Sequence, residues 1–181
     1  MHIRNLYHIR ESLNFDTRKL LIINFVLSTL DYCNILLINC SDKDLRPLKL
    51  ILNRCIRFIF HIRFRQHVTS FYKKLHFLTI RKRIQFKACL LAHKIFYSAA
   101  PDYLLQEFKQ FVPNLEMSLR RDAGRDNFMF DTMGDDVRGK QINYSIKRQW
   151  NSLPRRIREC SQICIFKRML KTELFSNPDE L

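Results

Sequence analysis

Met133-Gly134-Asp135-Asp136 is where residue types and spacing first suggest chemistry. Paired carboxylates can hold two Mg²⁺ ions on the attacking and leaving oxygens of a displacement, provided a sheet keeps the two carboxylates apart. Here the flanks, FMFDT and VRGKQ, are poor as paired apolar strands, and no upstream Asp sits in a strand with glycine and aromatic neighbours. A surface turn is the better reading. Cys160 and Cys164 stand four apart and could share a helical face, but two thiols make half a zinc site and no second pair follows. The six histidines (2, 8, 61, 67, 76 and 93) are scattered. His61 and His67 fall in a basic region, where backbone or phosphate contacts suit them better than a metal. Nor is there a glycine-rich phosphate loop, a G-x-S-x-G, or a Cys/His arrangement that stands apart from structural residues. The chain is expected to carry no catalytic residue, no metal and no cofactor.

What remains is charge. The formal net charge is +15, and its distribution is more telling than its size. Between Asp44 and Asp102 there is no acidic residue, while thirteen lysines and arginines fall in that interval. Such a block produces a positive field whose natural partner is a polyanion, RNA or DNA. A merely solubilising surface would mix both signs. The candidate nucleic-acid-binding residues are Arg46, Lys49, Arg54, Arg57, Arg63, Arg65, Lys73, Lys74, Arg81, Lys82, Arg83 and Lys87. In FIFHIRFRQHVTSFYKK, residues 58–74, these cations interleave with rings. Phe58, Phe60, Phe64, Phe71 or Tyr72 could stack on bases, or could belong to the core of a phenylalanine-rich chain. The same choice attends the only tryptophan, in RQWNSLPRRIRE at 148–159. Trp150 either lies on a nucleic acid or anchors the packing of a helix.

The elements that must position these residues read as helices. A chain of 181 residues with 46% hydrophobic content can bury a sizeable core. Three glycines and five prolines argue against a turn-rich β architecture. Asp16 or Thr17 can cap a helix through RKLLIINFVLSTL, apolar nearly all round and so expected inside the fold. The run LLIINFVLSTLDYCNILLI, residues 20–38, contains Asn24, Asp31 and Asn34. One central Asp costs about 3 kcal/mol on insertion scales, so a buried helix and an extended stretch are expected here, not a membrane span. Ser41 with Asp44 offers a capping box. The helix beyond places Leu45, Leu48, Leu52, Cys55 and Ile59 on one stripe and Arg46, Lys49, Asn53 and Arg57 on its neighbour. Thr79 can cap a second long helix with Ile84, Ala88, Leu91 and Ile95 as its seam. Pro101 suits the first turn of a short helix, DYLLQEFKQF. Residues 112–141 hold all three glycines and lose periodicity, which predicts a long loop or irregular strands. INYSIKRQWNSL reads as a helix ended by Pro154. Ser161 can cap a last helix with Ile163, Phe166, Leu170 and Leu174 inside and Lys167, Arg168 and Lys171 outside.

Four segments in order carry a resemblance: LNFDTRKLLIINFVLSTLDYCNILLINCS, LRPLKLILNRCIRFIF, LHFLTIRKRIQFKACLLAHKIFYSAAPDYL, and INYSIKRQWNSLPRRIRECSQICIFKRMLKTELF. Together they resemble the C-terminal region, the thumb and beyond, of reverse transcriptases (RNA-directed DNA polymerases) of jockey-type non-LTR retrotransposons. The likeness runs from about residue 10 to 175. Phe77 and Thr79 stand where the family favours Trp and Pro, and residues 112–141 match poorly. The resemblance implies that the palm with its catalytic aspartates lies upstream of the first matching segment. The chain alone would then be non-catalytic and would grip nucleic acid. It also implies that Trp150, Leu153 and Pro154 anchor a helix and its turn, with Arg148, Arg155, Arg156 and Arg158 outward.

The expected molecule is therefore mainly α: a helical bundle with one irregular loop or short β segment around 112–141. Its basic thumb-like part would span 1–111, and a C-terminal helical block 142–181 would pack on it. Six cysteines in apolar helical patterns and no visible signal peptide suggest a reduced compartment, nuclear or cytoplasmic. The alternative function is a helical interaction or assembly module, self-associating through apolar surface left by the missing palm.

Overall fold

Ser41 shows how locally this fold is specified. In the computed structural model its hydroxyl accepts from the Asp44 N–H, while Asp44 returns a carboxylate oxygen to the Ser41 N–H at 3.2 Å. This reciprocal cap, of a kind worth about 1 kcal/mol, starts the 19-residue helix α4, Asp42–Phe60. The structure describes residues 2–63, 65–97, 101, 104, 108 and 141–176, and among them every regular element is helical and none is a strand. The fold is mainly α. The irregular stretch expected at 112–141, including Asp135 and Asp136, lies outside the described residues, as does most of the short helix expected after Pro101.

The elements before α4 are α1 (His2–His8), α2 (Phe15–Leu21), a π-helical turn (Ile22–Leu27) and α3 (Ser28–Asp31). After it come α5 (Thr69–Leu75), α6 (Ile80–Tyr97), α7 (Ile142–Asn151), α8 (Arg155–Arg158) and α9 (Ile163–Ser176). Two compact units meet in sequence within α6, at Ile84 and Gln85.

Four local expectations are corrected. The cap of α2 is Asn14, whose Oδ1 accepts from the Thr17 N–H at 2.8 Å, and neither Asp16 nor Thr17. The run from α2 to α3 is not interior on all sides. Ile22, Val26 and Leu27 are buried, yet Leu20 and Phe25 are 58% and 56% exposed. Finally, the extended stretch expected after α3 is a 3₁₀ turn, Asn34–Leu37. Cys33 takes a left-handed conformation (φ 50°) and reverses the chain, so that the following N–H groups bond three residues back. The last helix also starts later than Ser161 suggests, with the Gln162 carbonyl accepting from the Phe166 N–H.

The core of the first unit gathers Ile22, Leu52, Ile56, Phe58, Ile59 and Ile84. Each contributes about 1.5–3 kcal/mol by burial. The second unit closes on Trp150, Phe166, Ile146, Ile157 and Leu170, every one of them essentially without solvent contact. No described helix is long and apolar enough to cross a membrane.

Candidate nucleic-acid interface

Helical periodicity on α4 separates two faces. Leu45, Leu52, Cys55, Ile56 and Ile59 are buried, while Lys43, Arg46, Lys49 and Arg54 are exposed with Leu50 among them. At 1.5 Å per residue the cations from Lys43 to Arg54 cover about 17 Å. That length passes about five phosphates of one nucleic-acid strand. None of these four cations makes an ion pair with a described carboxylate. Lys43 was not among the residues expected, although it stands three positions before Arg46 on the same face.

The loop after α4 and the helix α5 continue the basic surface, and identifiable bonds hold them there. His61 ends α4 in the left-handed region, where glycine is usual, and the Ile62 N–H reaches back to the Arg57 carbonyl. Arg57 itself is half-buried, and its guanidinium donates to the Gln66 carbonyl at 3.2 Å. It fastens the loop that carries Arg63 and Arg65, both exposed. Arg10 secures the other side of the helix end, donating to the Arg57 and Phe58 carbonyls at 2.9 and 3.2 Å. On α5, the Tyr72 hydroxyl donates to Asn53 Oδ1 at 2.7 Å and ties that helix to α4. Burial pushes the phenol well above its usual range, so it stays a neutral donor. Lys73 and Lys74 project from this anchored helix, with the Lys74 ammonium 5.2 Å from the centre of the Phe71 ring.

Two of the rings interleaved with these cations, Phe58 and Tyr72, point inward. Phe58 is fully buried and Tyr72 nearly so. Phe60 packs between Phe15 and Phe71, with ring centres 5.3 and 4.7 Å away. Phe64 lies outside the described residues. Phe58 and Tyr72 therefore offer no platform for bases, while Phe60 and Phe71 are half-buried against each other.

The first turn of α6 behaves differently from the block read in sequence. Arg81 donates to Asp42 Oδ1 at 2.5 Å and to the Cys40 carbonyl at 3.1 Å. That hydrogen bond, with the guanidinium's charge, holds the Asp42 carboxyl below its usual range. Arg83 grips Asp31 with two parallel bonds of 2.8 and 2.6 Å. Lys82 is buried, and Lys87, in the second unit, is half-buried. Carboxylates absent from residues 45–101 in sequence are thus supplied in space by Asp31 and Asp42. The cationic surface narrows to α4, its following loop and α5.

Around Trp150 the guanidinium groups also divide. Arg148 is exposed, Arg155 pairs with Glu159 at 2.6 Å, and Arg156 pairs with Glu173 at 2.9 Å. Arg158, expected outward, is buried and donates to the Leu153 carbonyl at 3.0 Å. It closes the turn through Pro154, a use of arginine that its basic neighbours disguise. Trp150 is packed, with no solvent exposure. All six cysteines are free thiols, and burial pushes Cys55 and Cys89 up to about 12, which leaves both unreactive. Among the described residues no three His, Cys, Asp or Glu side chains converge as metal ligands would.

No protein-family model, no curated protein and no solved structure matches this chain.

Proposed function

We propose that this chain is a non-catalytic nucleic-acid-binding fragment, similar to the region beyond the palm of a jockey-type non-LTR retrotransposon reverse transcriptase. It acts on the sugar-phosphate backbone of RNA or DNA in a nuclear or cytoplasmic setting. The observation that carries this reading is the cationic outer face of α4. Lys43, Arg46, Lys49 and Arg54 stand exposed along one helix, with Arg63, Arg65, Lys73 and Lys74 on the loop and helix fastened to it. The order of the four sequence segments supports the family origin. In this reading Asp135 and Asp136 have no catalytic part.

The test is a filter-binding titration with RNA and DNA duplexes and single strands. If about six phosphates are contacted, affinity falls about three decades between about 50 and 200 mM salt. Replacing Arg46, Arg54, Arg63 and Arg65 by alanine lowers the salt slope by about four and weakens binding to all sequences alike. A salt-independent affinity rejects the reading.

A second reading is favoured by a separate observation. Leu20, Phe25, Tyr32 and Leu36 are exposed by 56–81%, in a stretch, residues 20–41, whose single charged residue is Asp31. Apolar side chains displayed this way suit a helical interaction or assembly module. Sedimentation then shows concentration-dependent association that Phe25→Ser and Leu36→Ser together abolish. A monodisperse monomer at high concentration removes this second role.

A further inference from the structure

His93 is the one described histidine whose ring is shut inside the protein, with 2% exposure. Its Nε2 lies 2.8 Å from the Cys160 carbonyl oxygen, which only accepts, so Nε2 carries the proton of the neutral ring. That leaves Nδ1 as a bare acceptor, buried and without a partner among the described residues. Rings enclose the imidazole: Phe166 at 4.3 Å, Tyr97 at 4.9 Å and Trp150 at 6.2 Å between centres.

A second proton on Nδ1 would place a donor and a charge against this aromatic wall. Among the described residues no carboxylate is placed to balance that charge. On α6, Cys89 is a buried neutral thiol, Lys94 is exposed, and the Tyr97 hydroxyl donates to the Arg158 carbonyl at 2.5 Å. On α7, Lys147 stands over the Phe108 ring and Arg148 faces solvent. On α8 and the turn after it, Arg155 and Glu159 pair together, Arg158 binds the Leu153 carbonyl, and the Cys160 thiol turns to the Gln162 carbonyl at 3.6 Å. On α9, Lys167 and Arg168 are exposed and Glu173 is engaged by Arg156. Neither described carboxylate of this unit is committed to the imidazole. Burial accordingly holds His93 below the usual imidazole range, opposed only by its bond to Cys160.

We propose that His93 is a proton-operated latch in the second unit: neutral, its ring stays buried against the Cys160 turn, and protonated, its charge is drawn out to water, which opens that turn and the start of α9 although the Nε2–H itself remains a donor. The sign follows from linkage. A base depressed in the folded state leaves stability complete above the unfolded value of about 6.5, and stability is lost as pH falls below it. The folded-to-unfolded ratio of this unit then drops by up to about tenfold per pH unit until the folded pKa is passed.

The only tryptophan of the chain lies within the latch and reports on it directly. Trp150 emission is followed in the full chain from about pH 8 to about pH 5. The expected result is a red shift with a midpoint below about 6.5. In His93→Gln an amide N–H can still reach the Cys160 carbonyl but takes up no proton, so the emission stays flat. An unchanged spectrum in the wild type, or the same transition in His93→Gln, overturns the latch. Should the variant fail to fold, NMR titration of the wild-type His93 ring decides. Its protonation must track the Trp150 shift, and a ring that titrates without moving the emission rejects the proposal.

Discussion

Replacing Trp150 by alanine is expected to cost about 3–5 kcal/mol of stability. Such a loss removes most of what a domain of this size possesses. The indole has no solvent exposure. It stacks on Phe96 with centres 5.6 Å apart and planes 24° from parallel, and meets Phe166 at 5.7 Å and His93 at 6.2 Å. Alanine leaves a cavity among rings from two helices, α6 and α9, and rigid aromatic neighbours collapse into such a space poorly. Urea unfolding followed by circular dichroism measures the loss, and Trp150→Phe retains a larger share of the stability. The same variants check the packed role against the base-stacking one. A base-stacking tryptophan would lose affinity for nucleic acid when truncated and leave the unfolding midpoint unchanged. The packed one moves the midpoint.

The helices were legible because their signals are local. Ser41 and Asp44 announce the start of α4 three residues apart, and the stripe from Leu45 to Ile59 states which side packs. Thr79 precedes α6, and its carbonyl accepts the Arg83 N–H at 2.8 Å. What periodicity could not convey is depth and partnership. The segment from Arg18 to Leu30 looks interior by composition, but a helix with one neighbouring core buries one side only, leaving Leu20 and Phe25 in water. The reversal at Cys33 needs a left-handed residue, and cysteine gives no hint of one. Arg158 and Arg156 look alike in sequence, yet one closes a turn and the other pairs with Glu173 across seventeen residues. For the candidate interface, α4 and its following loop could be read from residue order. The fate of Arg81 and Arg83 could not, because their partners lie 39 and 52 residues away.

That last pair makes the sharpest demand on the fold. Asp31→Ala is expected to destabilise the protein by about 2 kcal/mol, between the values for breaking an exposed and a fully buried ion pair. The Asp31 and Arg83 side chains are only 24% and 14% exposed, and the two bonds are parallel and short. Deleting the carboxylate strands a guanidinium that has already given up most of its water. Forming the pair required desolvating both groups, so its net worth against an apolar substitute is far smaller than the damage done by breaking it. The double variant Asp31→Leu with Arg83→Met should therefore regain most of the loss, as a double-mutant cycle by chemical denaturation will show. Arg81 supplies the contrast. Its partner Asp42 is an exposed carboxylate, and removing it should move stability only slightly. If Asp31→Ala proves as mild as Asp42→Ala, Arg83 is not committed to the fold. It would then return to the set of cations available to a phosphate backbone, and the basic surface would extend onto α6 after all.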